Sequence, residues 1–389
     1  MNPYHPGAGV TPMVLAGRDA DIAAFDSLIV RAKRYFPVNP IVFSGLRGVG
    51  KTVLLNRLRG MADHHQFHSI QFEAKAGKAG ATAAKRELAR GFFQISAPYR
   101  RRAATDTVKQ MLGTVSSFSV SLGLEGFSFG LENESLRGAS GLLEMDLQEV
   151  IEDISLALRR EHSALVIFID EMQELEAELL ESLLTVQHYA MQRQLPFYII
   201  GAGLPNLPVK LAASRSYAER LFEYRVIGKL DDSAARESLV GPANKMGQVF
   251  TEDALEHLTA EAGNYPFFLQ VFGSAIWTVA TASPFTVENA HAAKVLGRAQ
   301  LDSGFFPARW ERATPAEREY LRAMAMDGDE GSRSAAIARA LGKTPQGLAP
   351  VRASLIAKGI IYSPLHGRVA FTVPGMSSFI ERQRQLLED

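Results

Sequence analysis

The sequence predicts an α/β protein, because short apolar runs alternate with helical segments up to about residue 230. Alternation of this kind is typical of a parallel sheet that helices cover on both faces. A helix over residues 19–35 precedes the first strand, and a helix over residues 175–193 separates the third strand from the fourth. The four predicted strands are residues 41–43, 69–72, 165–169 and 197–200.

Two further units follow the predicted sheet. Beyond about residue 230 the strand signal stops, and the next three segments have helical spacing: residues 234–246, 252–262 and 266–280. The last unit combines two strands, at residues 360–362 and 369–371, with three helices, which is the layout of a winged helix. Its helices are predicted at residues 317–325, 334–341 and 346–358. We therefore divide the chain into residues 1–229, 230–303 and 304–389.

The composition indicates a folded protein without an overall charge. Apolar residues make up 47% of the chain, and 42 basic side chains balance 42 acidic ones. Any nucleic acid must therefore contact a local patch, and no membrane partner is expected. The chain has no cysteine, which excludes thiolate chemistry and leaves oxygen or histidine as metal ligands. Because the sequence shows neither a secretory leader nor a membrane span, we expect a cytoplasmic protein.

A hairpin is predicted as an insertion between the second and third strands, near residues 115–132. Apolar and polar residues alternate over residues 117–122 and again over 127–131, on either side of a turn at Glu125-Gly126. Such a hairpin could pack on the core, or it could contact a partner or DNA with help from the arginines at 100–102. The sequence leaves both possibilities open.

A glycine-rich loop joins the first strand to the helix behind it. Its glycines allow a tight turn in which N–H groups of the loop and of the helix start point at one anion. Lys51 can reach the β- and γ-phosphates of a nucleotide, and the hydroxyl group of Thr52 can ligate Mg²⁺. The loop predicts a phosphate site, and its binding residues are Gly45, Gly48, Val49, Gly50, Lys51, Thr52 and Val53.

Two carboxylates, Asp170 and Glu171, end the third predicted strand. They lie at the carboxyl edge of the sheet, where ligands of such folds bind. We expect Asp170 to hold Mg²⁺ together with Thr52, and Glu171 to deprotonate the water that attacks the γ-phosphate of ATP. An N-cap for the next helix is the alternative interpretation of an acidic strand end, and the neighbouring phosphate loop favours the ATP site.

These two motifs resemble those of initiator-type AAA+ and related STAND ATPases, in a stand-alone bacterial form with a C-terminal winged helix. The resemblance extends over nearly the whole chain from Leu15. It rests also on the segments 17–19, 201–205, 217–222 and 263–266. The resemblance implies a P-loop ATPase core of the AAA+ αβα type, a helical lid and a winged-helix domain, with ATP or ADP and Mg²⁺ between core and lid.

The resemblance also implies roles for three further residues. Arg18 would lie near the nucleotide base, Pro266 of the lid would contact adenine, and Arg220, just before an expected fifth strand, would be an arginine finger. A surface position or an internal ion pair is the alternative for Arg220. The chain departs from the family in two places: the fourth strand ends in glycine and alanine at 201–203 instead of a polar sensor, and Pro266 replaces a sensing arginine.

The predicted winged helix carries a local positive charge. Residues 332–372 contain no Asp or Glu and six cations: Arg333, Arg339, Lys343, Arg352, Lys358 and Arg368. We expect duplex DNA to bind there, with residues 346–358 in the major groove and Arg368 on the backbone. The chain is thus predicted to be an ATP-dependent switch that acts on DNA and forms homo-oligomers when ATP is bound. The alternative is a signalling scaffold with little turnover, whose nucleotide state controls self-assembly or a protein partner.

Overall fold

A computed structural model of the chain describes residues 1–7, 9–102, 105–123, 129 and 137–388. Its α/β part contains five parallel strands: β1 (Ile41–Ser44), β2 (His68–Glu73), β3 (Leu165–Asp170), β4 (Phe197–Gly203) and β5 (Glu223–Val226). They form one sheet in the order β2–β3–β4–β1–β5, so the first strand lies inside the sheet. The predicted parallel α/β architecture is confirmed.

Helices cover both faces of this sheet. Successive side chains of a strand point to opposite faces, and in β3 Val166 and Phe168 join one hydrophobic core while Ile167 and Ile169 join the other. The continuous apolar run of β3 is therefore explained by burial on both sides. The helices of this part are α1 (Asp19–Lys33), α2 (Lys51–His64), α3 (Gly77–Ser96), α4 (Asp106–Ser121), α5 (Leu143–Arg159), α6 (Ala177–Gln192), α7 (Leu207–Ser214) and α8 (Ala218–Leu221).

The first half of the predicted hairpin is wrong, because residues 117–121 belong to helix α4. The alternating serines suggested a strand, but Met111, Val115 and Phe118 are buried at the spacing of a helix face, while Val120 is 48% exposed. The helical period that begins further upstream therefore overrides the local alternation. The predicted second strand at 127–131 lies outside the described residues, except for Phe129, whose ring stacks on that of Phe93 at 4.4 Å.

Four helices follow the sheet: α9 (Asp232–Lys245), α10 (Glu252–Ala262), α11 (Pro266–Val279) and α12 (Val287–Gln300). The first three lie where the sequence predicted them, and Pro266 occupies the first turn of α11, where its missing N–H group costs nothing. A helical turn over Leu301–Phe305 and the short helix α13 (Pro307–Trp310) then lead to the C-terminal unit. We call residues 301–310 the hinge.

The C-terminal unit contains α14 (Pro315–Ala325), α15 (Ser334–Ala340), α16 (Ala349–Ala357) and α17 (Met376–Glu388), with the strands β6 (Ser332–Arg333), β7 (Ile361–Tyr362) and β8 (Arg368–Phe371). The strands form an antiparallel sheet in the order β6–β8–β7. The three predicted helices and two predicted strands are present, although the third helix begins at Ala349 and not at Gln346.

One cation of the predicted basic patch is not free. The ammonium group of Lys358 lies 2.6 Å from the carboxylate of Glu317, which is buried and also caps the start of α14 with Thr314. The sequence did not indicate this pair, because Glu317 lies outside the acid-free stretch. Separately, no helix in the described ranges is long and apolar enough to cross a membrane.

Residues 2–7 and 9–16 form an amino-terminal strap across the molecule. Tyr4 is 1% exposed and its hydroxyl group donates to the carbonyl of Leu239 in α9. The amide of Asn2 donates to the Ser274 hydroxyl in α11, and the amide of Asn56 in α2 contacts the Gly9 carbonyl at 3.5 Å. The strap therefore connects the helices after the sheet with the helix behind the glycine-rich loop.

Candidate nucleotide site

The phosphate loop, residues 45–52, leaves the carboxyl end of β1 and ends in the first turn of α2. The N–H group of Gly45 donates to the Gly203 carbonyl at 3.0 Å, which ties the loop to β4. A Cβ atom on Gly45 would lie 2.0 Å from the Ile227 carbonyl oxygen, so a side chain does not fit there. Gly48 has a φ of 88°, a conformation that glycine adopts easily. Backbone geometry thus explains the glycines of the motif.

The carbonyl groups of residues 45–50 all accept hydrogen bonds. Their donors are the Lys51 ammonium group (to Gly45 and Leu46), the Tyr265 hydroxyl (Arg47), the Phe267 N–H (Gly48), the Arg18 guanidinium (Val49) and the Leu54 N–H (Gly50). The carbonyl and N–H groups of a trans peptide point in opposite directions. The N–H groups of residues 48–53 donate no hydrogen bond of normal geometry within the described chain. They are therefore available to an anion.

The start of α2 adds to this anion site. The helix begins at Lys51 behind Gly50 without a side-chain cap, so its first N–H groups and its positive dipole end face the loop. Lys51 is buried, and its ammonium group lies 2.8 Å and 2.7 Å from the carbonyl oxygens of Gly45 and Leu46. Burial lowers the pKa of Lys51 to about 8, although Glu171 and Asp170 oppose this effect. A phosphate group would supply the missing negative charge.

Asp170 lies beside Thr52, as the two motifs predicted. The Thr52 hydroxyl donates a hydrogen bond to a carboxylate oxygen of Asp170 at a distance of 2.5 Å. Burial raises the pKa of Asp170 above its usual value, and the hydrogen bond from Thr52 opposes that shift. A hydroxyl and a carboxylate are the hard oxygen ligands that Mg²⁺ prefers, so this pair fits the metal expected with a nucleotide.

Glu171 is held by two side chains. Its Oε1 atom lies 2.9 Å from the guanidinium group of Arg47, and its Oε2 accepts a hydrogen bond of 2.5 Å from the amide of Gln173. The backbone of Glu171 has a φ of 49°, a conformation that is unusual for a residue with a side chain. Such residues are concentrated at functional sites, and here the strained residue is the predicted catalytic base.

Gln173 replaces the polar residue that seemed to be missing at the end of β4. Its side-chain oxygen accepts a hydrogen bond from the Leu204 N–H at 3.0 Å, just beyond that strand. A Cβ atom on Gly203 would lie 2.2 Å from the same oxygen, so glycine leaves the space that Gln173 occupies. Sequence reasoning missed Gln173. A glutamine two positions after Glu171, opposite a small strand end, is the signal that could have found it.

The loop lines a cavity of about 590 Å³, which is within the size range of small-molecule sites. Its other walls come from the amino-terminal strap, α11 and the hinge, and they include Pro266. Arg18 also lines the cavity, but its guanidinium group is buried and donates to the carbonyls of Val49 and Gly228, both at 2.9 Å. Arg18 therefore ties the loop to the segment after β5.

Arg220 lies away from this cavity. It is exposed in α8, and its carbonyl accepts a hydrogen bond from Asn39, two residues before β1. That contact is at the amino edge of the parallel sheet, whereas the phosphate loop leaves the carboxyl edge. The structure therefore does not bring Arg220 to the phosphate site of its own chain.

The C-terminal unit contacts the phosphate loop directly. The N–H group of Arg47 donates to the Thr372 carbonyl at 3.0 Å, and the Thr372 hydroxyl donates to the Gly359 carbonyl at 2.8 Å. Gly359 lies so close to the Arg47 guanidinium that a Cβ atom there would be 3.0 Å from its Nη2. No local sequence pattern indicates a contact between residues more than 300 positions apart.

Together the fold and this site define a P-loop ATPase. Residues 14–199 match the family model described as "AAA ATPase domain". Residues 303–380 match a second model, described as "Domain of unknown function (DUF8462)". The comparison with curated proteins found no match.

Several solved structures resemble the whole chain. The Walker-type ATPase Paby2304 of Pyrococcus abyssi is 16% identical, with a TM-score of 0.56 and coverage of 94% of this chain and 95% of that one. The Aeropyrum pernix Orc1 protein in complex with DNA is 15% identical (TM-score 0.46, coverage 97% and 95%). The Thermotoga maritima RuvB Holliday junction branch migration motor is 14% identical (TM-score 0.44, coverage 98% and 99%). The first similarity supports the fold, and the other two are too distant to add to it.

Glu171→Gln is expected to bind ATP without hydrolysing it, because the amide keeps the shape of the side chain and loses the base. We expect phosphate release to fall by about 100-fold or more, while ATP affinity stays close to that of the wild type. Lys51→Ala provides the contrast, since it removes the cation between the phosphates and should abolish tight ATP binding. Steady-state phosphate release and nucleotide titrations measure both effects.

Unchanged turnover in Glu171→Gln would place the catalytic base elsewhere. Normal ATP affinity in a folded Lys51→Ala variant would contradict the phosphate site.

Proposed function

We propose that the chain is an ATP-driven switch in which the nucleotide phosphates set the position of the C-terminal unit. The supporting observation is that the phosphate loop hydrogen-bonds both to the lid, residues 230–303, and to the C-terminal unit. Tyr265 and Phe267 of the lid hydrogen-bond to carbonyls of the phosphate loop, and Thr372 of the C-terminal unit accepts from its Arg47 N–H group. A phosphate that shifts the loop therefore acts on the lid and on the C-terminal unit together.

In the proposed reaction the phosphates of ATP lie on the loop, and Lys51 contacts the β- and γ-phosphates. Thr52 and Asp170 would hold Mg²⁺, which neutralises charge on the phosphate oxygens. Glu171 accepts the proton of the attacking water, while Arg47 and Gln173 keep its carboxylate in place. We place the adenine between core and lid, where Pro266 lines the cavity and Arg18 fixes the wall beside it.

We further propose that the C-terminal unit is a winged helix that binds duplex DNA. Arg333 and Arg368 are both exposed and are directly opposite each other in the β6–β8 pair. Neither has a carboxylate within ion-pair distance in the described ranges. Like charges at such positions destabilise a sheet, and a phosphate of DNA would compensate them. Arg339 and Lys343 are exposed as well.

Two of the six predicted cations serve the unit itself. Lys358 pairs with Glu317, and Arg352 donates a hydrogen bond of 3.3 Å to the Ser334 hydroxyl. Four exposed cations therefore remain for phosphate contacts: Arg333, Arg339, Lys343 and Arg368. Gln346 is exposed in the turn just before α16, so it is available to contact base edges if α16 enters the major groove.

Duplex binding by the full chain should depend strongly on salt. With four phosphate contacts, the logarithm of affinity should fall with the logarithm of salt concentration at a slope of roughly −3 to −4. Arg368→Ala should weaken binding to every sequence and reduce this slope by about one, whereas Gln346→Ala should change the sequence preference. The control is Arg57→Ala, which removes an exposed arginine on α2. Fluorescence anisotropy over a salt series measures these quantities.

Absence of salt-dependent duplex binding at micromolar protein, with and without ATP, would remove DNA from the proposal. The ATPase would then be better explained as a nucleotide-controlled scaffold for a protein partner.

We also propose that Arg220 completes the ATP site of a neighbouring subunit in a homo-oligomer. It is exposed at the sheet edge opposite its own phosphate loop, so a finger role requires a second copy. Arg220→Ala and Lys51→Ala proteins, each inactive alone, should regain part of the ATPase activity when mixed, because one supplies the finger and the other the site. Arg34→Ala, which lacks an exposed arginine at the end of α1, should keep its activity without mixing.

Phosphate release is measured across mixing ratios, and light scattering shows whether the variants still assemble. Assembled mixtures that show no recovery at any ratio would contradict a finger supplied by a neighbour.

A further inference from the structure

We propose that Arg309, in the hinge, binds the terminal phosphate of ATP and so distinguishes ATP from ADP. This inference rests on the proposed function, since it concerns the nucleotide of the same site. It assigns recognition of the γ-phosphate to the segment that joins the lid to the C-terminal unit.

Arg309 is held at the wall of the nucleotide cavity by its own hinge. Its Nη1 donates a hydrogen bond of 2.6 Å to the Phe305 carbonyl, and its guanidinium group lies 4.2 Å from the centre of the Phe305 ring. Both residues line the cavity together with the phosphate loop. The other N–H groups of its guanidinium donate no hydrogen bond within the described chain. They are therefore available to a ligand.

The charge of Arg309 has no acidic partner. No carboxylate lies within ion-pair distance of it in the ranges that the structure describes, whereas Arg47 pairs with Glu171 at 2.9 Å. Burial lowers the pKa of Arg309 to about 10, and the neighbouring cations Arg47 and Arg312 contribute to the shift. A half-buried cation beside other cations is unfavourable unless an anion is present. The phosphates of ATP are the anion that this cavity is built to take.

The position of Arg309 selects the terminal phosphate. Arg309 lines the same cavity as Arg47 and Glu171, and Arg47 contacts Glu171, the predicted base for attack on the γ-phosphate, at 2.9 Å. The Nε atom of Arg47 is buried and has no hydrogen-bond partner in the described chain, so a second donor is unsatisfied at the same place. ADP lacks the γ-phosphate, which would accept hydrogen bonds from Arg309 and Arg47.

The hinge can transmit this contact, because it packs on both neighbouring units. The ring of Phe305 stacks on Phe267 of α11 at 4.6 Å, and that of Phe306 stacks on Phe379 of α17 at 5.2 Å. An ATP phosphate bound to Arg309 would therefore act on the lid and the C-terminal unit from the residue that lies between them.

Arg309→Gln tests the assignment in the full chain. Glutamine can still donate to the Phe305 carbonyl but carries no charge. Isothermal titration with Mg²⁺ and either ADP or adenylyl imidodiphosphate, an ATP analogue with a γ-phosphate, gives both affinities. We expect the analogue to bind about tenfold or more weakly and ADP to bind within about twofold of the wild type. The control is Arg34→Gln, which removes an exposed arginine at the end of α1 that does not line the cavity, and it should change neither affinity.

Arg309→Lys keeps the charge without the planar fork and should lose less of the analogue's affinity than glutamine does. Should Arg309→Gln fail to fold, a selective loss of the analogue in Arg309→Lys carries the test. An equal loss of both nucleotides, or no loss of either, would overturn the role of Arg309 while leaving the ATP site intact. A wild-type chain that binds neither nucleotide would overturn both.

Discussion

The hydrogen bonds to the carbonyl groups of residues 45–50 are the constraint on which the rest of the structure depends. Because the carbonyls of residues 47–50 are occupied, the N–H groups of residues 48–51, on the opposite sides of the same peptides, are left for a ligand in the cavity. The donors come from Lys51 and Leu54 behind the loop, from Arg18 and from the lid. A buried carbonyl that loses its partner costs about 1–3 kcal/mol, so the lid and the loop are expected to move as one.

Hydrogen bonds also fix the predicted catalytic base, Glu171, at the other end of the site. Both carboxylate oxygens of Glu171 are already bonded, one to Arg47 and one to Gln173. A carboxylate oxygen has about two lone-pair directions, so both bonds can persist while a water molecule is held. Gln173 also contacts the backbone after β4, which links the base to the strand beside the loop. The glycine and alanine at the end of β4 therefore do not leave the site without a polar group.

How much the sequence could predict depended on how local each feature is. The strand, loop and helix around Lys51 are contiguous, and the strand that ends in Asp170 has an unmistakable apolar pattern, so their meeting at one edge could be foreseen. The chemical roles of these residues stay predictions. The hairpin prediction is wrong in its described half. A short alternation of apolar and polar residues near Phe118 conflicted with a longer helical pattern, and the longer pattern determined the structure.

Contacts between residues that are far apart in the chain could not be predicted from the sequence. Tyr4 is buried against α9, Lys358 pairs with Glu317, and Arg47 meets Thr372, yet no periodicity or motif connects these positions. The position of Arg309 depends on how the hinge packs against Phe267, which only the assembled chain shows. These contacts connect the phosphate site with the lid and the C-terminal unit.

The central claim is that the phosphates of ATP, through the loop and the hinge, set the position of the C-terminal unit. The chain has no cysteine, so spin labels can be attached at two introduced cysteines alone, one at Arg57 on α2 and one at Gln346 before α16, both exposed. Pulsed electron paramagnetic resonance then measures the distance between the two labels, and so between the core and the C-terminal unit. We predict that adenylyl imidodiphosphate shifts this distance distribution relative to ADP, and that Arg309→Gln abolishes the shift. Identical distributions without nucleotide, with ADP and with the analogue would contradict the account.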